Sequence, residues 1–181
     1  MEVAGRRFLT RTAVAAAALT ALLDLQSAGS VRRPTAEALT FSDQARRYLA
    51  LQYRSYPTEF LGCMIGEMRA GFAVVRRIAP ADVDQSRSTP TRVSPEQSCE
   101  AAGWSSTIGM IHSHPGGENC WYYFPGTVVA TSDAQSFAGQ SYAVDAIMCG
   151  DHIVWIGRDR QERRLSLLAA DGPTASAAST R

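Results

Sequence analysis

The sequence predicts an α/β fold of the α+β-like kind, a mixed sheet with flanking helices. Three observations predict it. Apolar runs of strand length are interleaved with stretches of helical apolar spacing, without a regular strand–helix alternation. Turn signals at Gly71 and at Cys149-Gly150-Asp151 each sit between two apolar runs, as hairpins require. No GxGxxG or P-loop pattern occurs, so a nucleotide-binding doubly wound sheet is not indicated.

The elements follow in chain order. Arg6-Arg7-Phe8-Leu9 precedes an apolar run from Ala13 to Leu23, which Asp24 ends and small residues follow. Residues 1–30 therefore read as an export signal of the twin-arginine-like kind, which places the protein in the periplasm or outside the cell. A plain N-terminal helix, or a start codon set too early, is the alternative and would leave the protein in the cytoplasm. The run is too short for a stable membrane span, which needs about 20 residues. Residues 31–41, with Arg32, Arg33 and Pro34, read as a linker, and 42–168 as the folded domain.

Ser42 can cap a helix in which Ala45, Tyr48, Leu49, Leu51 and Tyr53 give the apolar spacing, and Pro57 ends it. Phe60 to Gly66 and Phe72 to Ile78 read as strands joined at Gly71. Pro80 to Pro95 is polar and reads as an exposed loop, and Ser98 to Trp104 as a short helix. Ser106 to His112 is a strand rich in Ile and Met. Gly116 to Ala130 is a loop that carries Trp121, Tyr122, Tyr123 and Phe124. Ser132 can cap a helix through Phe137, and Ala143 to Met148 and His152 to Ile156 form the second hairpin. Residues 169–181 are rich in Ala, Ser and Thr and read as a disordered tail.

Composition removes several classes of function. The 181 residues are 45% hydrophobic and 19% charged, with net charge +1 and no basic stripe, so nothing points to nucleic acid. All 18 basic residues are arginine, which excludes a side-chain Schiff base or a P-loop lysine. The cysteines Cys63, Cys99, Cys120 and Cys149 form no CxxC pair, so a cysteine-built zinc site is not indicated. Cys63 and Cys149 lie in apolar runs and read as small buried hydrophobes. Cys99 and Cys120 lie in polar stretches and could form a disulfide if the protein is exported, a pairing the sequence leaves open.

The chemistry concentrates at Gly109-Met110-Ile111-His112-Ser113-His114-Pro115-Gly116-Gly117. On a strand, residues i and i+2 point to the same side, so His112 and His114 can converge on one ion. Neutral imidazole suits Zn²⁺, whose catalytic sites use three protein ligands and keep one open position. Taken alone, His-x-His fits equally a pair of surface histidines at a strand end. Glu59 opens the apolar strand Phe60 to Gly66. It reads either as a solvated strand end or as a general base beside a metal.

Together these pieces resemble the JAMM metallopeptidases, the MPN-plus branch of the JAB domain. Glu-x-x-Gly-x-x-x-Gly at Glu59 to Gly66, then the apolar strand ending in His112-Ser113-His114-Pro115, looks like that family's pattern, and the resemblance covers about residues 42 to 157. It implies a cytidine-deaminase-like three-layer architecture and one Zn²⁺ per chain. It implies Glu59 as the catalytic glutamate and His112 and His114 as ligands. The implied activity is hydrolysis of an amide, peptide or isopeptide bond in a peptide or protein substrate.

The third ligand departs from the family's Ser-x-x-Asp. Asp133 is the nearest carboxylate, but Ala130 stands where the serine belongs, and the loop after Pro115 is longer than the family's. Asp133 is expected as the ligand, with Ser132 or Thr131 as the hydroxyl that stabilises the oxyanion and Glu118 and Asp145 as fallback carboxylates. The Ser132-Asp133 pair also fits a helix cap with a first-turn acid, which needs no metal. The main competing function is a catalytically inactive MPN-type binding or scaffold module, which the imperfect Ser-x-x-Asp favours. A PHP-type phosphoesterase would need more histidines, and a cytidine deaminase would need Pro-Cys-x-x-Cys, which is lacking.

Overall fold

The computed structural model describes residues 35–167. The expected export signal, the first part of the expected linker and the expected tail lie outside them. Among the described residues the order is β1 (Ala38–Phe41), α1 (Asp43–Ser55), β2 (Leu61–Arg69), β3 (Phe72–Pro80), β4 (Thr107–Ser113), α2 (Ser132–Gly139), β5 (Val144–Cys149), β6 (His152–Gly157) and β7 (Glu162–Ser166). The strands form one mixed sheet in the order β1-β3-β2-β4-β5-β6-β7. β1 and β3 pair in parallel, as do β4 and β5, and the other neighbours are antiparallel. The expectation of an α/β fold with a mixed sheet therefore holds, with two helices among the described residues. No described helix is long and apolar enough to cross a membrane.

Side-chain alternation places the helices. In β5, Ala146 and Met148 share a core with Ala45 and Leu49 of α1, whereas Ile147 and Cys149 pack with Ala134 and Phe137 of α2. Successive strand residues face opposite sides, so the two helices lie against opposite faces of β5. Ser42 caps α1, its Oγ accepting the N–H of Ala45, with Asp43 in the first turn. The hairpin between β2 and β3 turns at Ala70 and Gly71, both at positive φ (45° and 87°), as a two-residue hairpin loop requires.

Gly66 has a packing reason. It sits at a bulge in the β2–β3 pairing, and a Cβ there would lie 2.0 Å from the carbonyl oxygen of Val74. Only glycine lets the two backbones approach that closely.

Several expectations are corrected. Residues 38–41, expected within the linker, form the edge strand β1, where Leu39 and Phe41 are buried in alternation. Ser98 to Trp104 is a run of turns and not a helix. Its hydrogen bonds stop with Gly103 donating to Glu100 O and Trp104 donating to Cys99 O, and Gly103 lies at φ 85°, which ends helical growth. β7 was not expected at all. Its sequence Glu-Arg-Arg-Leu-Ser carries no apolar run, because an edge strand buries only part of one face.

The cysteine pairing differs most. Cys63 joins Cys99, and Cys120 joins Cys149, so the Cys99–Cys120 bridge that the sequence left open does not form. Burial of Cys63 and Cys149 is as read, but each is half of a bridge that ties a strand to a loop.

Candidate metal centre

The β2–β4 register builds the site. Leu61 pairs with His112 across antiparallel strands, and the ladder continues beyond the strand end. Phe60 N donates to Ser113 Oγ at 3.0 Å, and Ser113 N donates to Phe60 O at 3.1 Å. That continuation sets Glu59 opposite His114, with Glu59 Oε1 3.9 Å from His114 Nε2. Ser113 is buried and holds Phe60, so it fixes the glutamate to the histidine strand.

Asp133 arrives from another element. It occupies the first turn of α2, whose N-cap is Thr131 and not Ser132 as expected. Thr131 Oγ1 accepts weakly from Ala134 N at 3.5 Å and donates to Tyr122 O at 3.0 Å. Asp133 Oδ2 lies 3.8 Å from His112 Nε2 and 3.7 Å from His114 Nε2. The ligand atoms of His112, His114 and Asp133 all lie within 4.8 Å of one another.

The triad passes a fit test for a small divalent cation. The buried Nε2 of His112 has no hydrogen-bond partner, since the Asp133 oxygen is beyond hydrogen-bonding range. An orphaned buried imidazole nitrogen needs an explanation, and a cation supplies it. Ligand atoms about 2 Å from a tetrahedral ion sit about 3.3 Å apart, and the two Asp133–imidazole separations of 3.8 and 3.7 Å lie within about half an ångström of that. His114 is oriented for the role. Its Nδ1 lies 3.1 Å from the Glu118 carbonyl, which can only accept, so Nδ1 carries the proton and Nε2 is left for the ion. Tyr53 of α1 donates to His114 O at 2.9 Å, and His114 N donates to Met148 O at 3.0 Å.

The electrostatics agree with this geometry at His114 and Asp133. Burial raises the Glu59 carboxyl above its ordinary value, against the favourable charge of His112 and the N–H of Val93, which Glu59 Oε2 accepts at 3.1 Å. Burial acts to raise Asp133 too, but the two imidazoles outweigh it and hold the carboxyl low. Burial and the charge of His112 lower His114. At His114 and Asp133 these are the directions a cation needs, whereas at His112 burial acts to lower the imidazole but Asp133, Asp145 and Glu59 outweigh it and raise it, so a cation bound there displaces a proton.

The fallback carboxylates do not join the triad. Glu118 contributes its backbone carbonyl to His114. Asp145, on β5, accepts from Tyr122 Oη at 2.9 Å, and burial pushes its carboxyl up to about 7. This buried pair was not foreseen. The aromatic run is likewise divided. Tyr122 is fully buried, while Trp121 and Phe124 face a cavity of about 700 Å³ above the triad. The β3–β4 connection also lines that cavity, with Arg87, Arg92 and Val93.

Residues 41–122 match a protein family described as prokaryotic homologs of the JAB domain. The match takes in Glu59, His112 and His114 and stops before Asp133, at the loop where the motif departs from the family's pattern. Among curated proteins none matches. Among solved structures, the chain is similar to protein DSY2949 from Desulfitobacterium hafniense at 17% identity, covering 71% of this chain and 90% of that one, with a TM-score of 0.44.

Proposed function

With the segment that bears Glu59, His112 and His114 recognised as a divergent prokaryotic JAB-domain homologue, we propose that the protein is a zinc-dependent hydrolase of an amide, peptide or isopeptide bond. The observation that carries this reading is the convergence of the triad with Glu59 beside it. The cytidine-deaminase-like three-layer architecture belongs to the same reading, and helices on both faces of β5 support it.

His112, His114 and Asp133 would hold one Zn²⁺. When bound, the ion acts as a Lewis acid and brings the pKa of its water towards about 7. Glu59 takes the proton from the attacking water and returns it to the leaving amine. Its raised pKa suits both steps, because a base that must also act as an acid works best near the operating pH. Ser132 is the better of the two hydroxyls for the oxyanion. Thr131 already donates to a backbone carbonyl, Tyr122 O, whereas Ser132 is exposed and lines the cavity, where its hydroxyl meets Asp133. Trp121 and Phe124 give the acyl side of a peptide an apolar surface.

Export through the N-terminal segment completes the reading. Two disulfides support it, since such bonds persist outside the reducing cytoplasm. The inactive-scaffold alternative rests on Ala130 in place of the family's serine. An orphaned His112 Nε2, with Glu59 beside the neighbouring ligand His114, is more than a scaffold needs.

The test is a pair of variants. Purified wild-type protein should contain one zinc per chain, and His112→Ala should contain none. Glu59→Gln should keep the metal and lose about 100-fold or more in turnover of a peptide substrate, as expected for removal of a general base. Full turnover by Glu59→Gln, or no zinc on the wild type, sinks the hydrolase.

A further inference from the structure

The cavity above the triad has walls of different character. The β3–β4 connection contributes Arg87 and Arg92, both exposed. Arg87 has a loose ion pair with Asp84 at 4.0 Å, and Arg92 makes no side-chain hydrogen bond or ion pair among the described residues. The segment after His114 contributes Trp121, Phe124 and one acid, Glu118. The remaining acids are Asp133 of the triad itself and Glu59 and Asp145 around it. The arginine wall therefore keeps cationic charge available to a ligand.

Which part of a substrate meets that wall follows from Glu59. The leaving amine must lie beside the group that protonates it. Glu59 is held by the arginine wall itself, its N–H donating to Pro90 O at 3.2 Å and its Oε2 accepting from Val93 N, the residue after Arg92. The leaving group and Arg92 thus share a side of the cleft.

We propose that the substrate's leaving amine carries a carboxylate, so that the enzyme releases a C-terminal amino acid from a peptide, with Arg92 and Arg87 binding the carboxylate and Trp121 and Phe124 the acyl side. This rests on the hydrolase reading above. The reaction balances as simple hydrolysis. Water's oxygen forms the new bond to the acyl carbon, the C–N bond breaks, and the proton passes through Glu59 to the departing nitrogen. The products are a shortened peptide acid and a free amino acid. A guanidinium suits a carboxylate because it can bind both oxygens in one plane. An internal peptide bond offers this wall no charge to pair.

The test is equilibrium binding, which needs no turnover. The probes are N-dansyl-trialanine and its C-terminal amide. They are titrated by fluorescence anisotropy into the metal-free full-length chain and into zinc-loaded Glu59→Gln. The free acid should bind about ten-fold more tightly than the amide in both forms, the size expected for a charge-assisted contact. The preference should shrink with added salt. Arg87→Ala/Arg92→Ala should bring the acid down to the level of the amide while zinc content stays at the wild-type value. Equal affinity for acid and amide, no measurable binding of the acid, or a preference that survives the double substitution overturns the proposal. Failure of the hydrolase reading shows separately, as a wild type without zinc or an active Glu59→Gln.

Discussion

Asp145 is a carboxyl in the middle of a sheet, a costly place for a charge. It is tolerated because burial pushes its pKa to about 7 and because Tyr122 donates to it. The sign of the resulting pH dependence is fixed. The folded value lies above the ordinary 3.8, so the stabilising contribution is fully present below 3.8 and is lost as pH rises through about 7. Asp145→Asn keeps an acceptor for Tyr122 and removes the titration. With metal chelated, the melting temperature of Asp145→Asn relative to wild type should therefore rise between about pH 5 and about pH 8. A constant difference across that range would mean that Asp145 does not titrate in the fold. At this scale the sequence was uneven. Glu59, His112 and His114 were legible because each sits at a fixed step from a glycine, a proline or another ligand. The place of Asp145 was not, because Val144 to Cys149 is buried at every position and its pattern gives no inner or outer face.

The segment from Tyr122 to Thr131 acts as one unit. Tyr123 and Ala130 form an antiparallel bridge, Phe124 N donates to Val129 O at 3.0 Å, and Thr131 N donates to Tyr122 O at 2.9 Å. This small ribbon presents Phe124 to the cavity and delivers the chain to α2, whose first turn carries Asp133. Thr131 is its hinge pin, because one hydroxyl both caps the helix and closes the ribbon. Thr131→Val should lower stability by about 1 kcal/mol, the usual loss for a helix cap. It should also weaken zinc retention in a chelator competition, since the cap orients the ligand. Unaltered zinc affinity would detach the cap from the site. Legibility among the elements follows burial. Both hairpins were readable from apolar runs around turn residues, whereas β1 and β7 are short edge strands without such runs. The misread helix at Ser98 had a genuine cap signal, since Ser98 Oγ accepts from Ala101 N, and what failed was propagation beyond one turn.

Across the whole molecule, the two disulfides fasten the two walls of one cleft. Cys63–Cys99 ties β2, four residues beyond Glu59, to the connection that carries Arg87 and Arg92. Cys120–Cys149 ties the segment between His114 and Asp133 to β5. Their sequence separations are 36 and 29 residues, and loops of that size imply about 3–4 kcal/mol each from restriction of the unfolded chain. That is a large part of a small domain's stability, which is about 5–15 kcal/mol. The oxidised protein should react with no thiol reagent, and reduction should lower its melting temperature steeply. The two bridges should also differ in kind. Cys120→Ser/Cys149→Ser loosens the segment between ligands and should release zinc, whereas Cys63→Ser/Cys99→Ser leaves the triad's own segments tied and should lower stability with the metal retained. Chelator competition beside thermal melting separates the two effects. A reduced protein that melts like the oxidised one would show that the bridges add nothing, and would remove the support they lend to export.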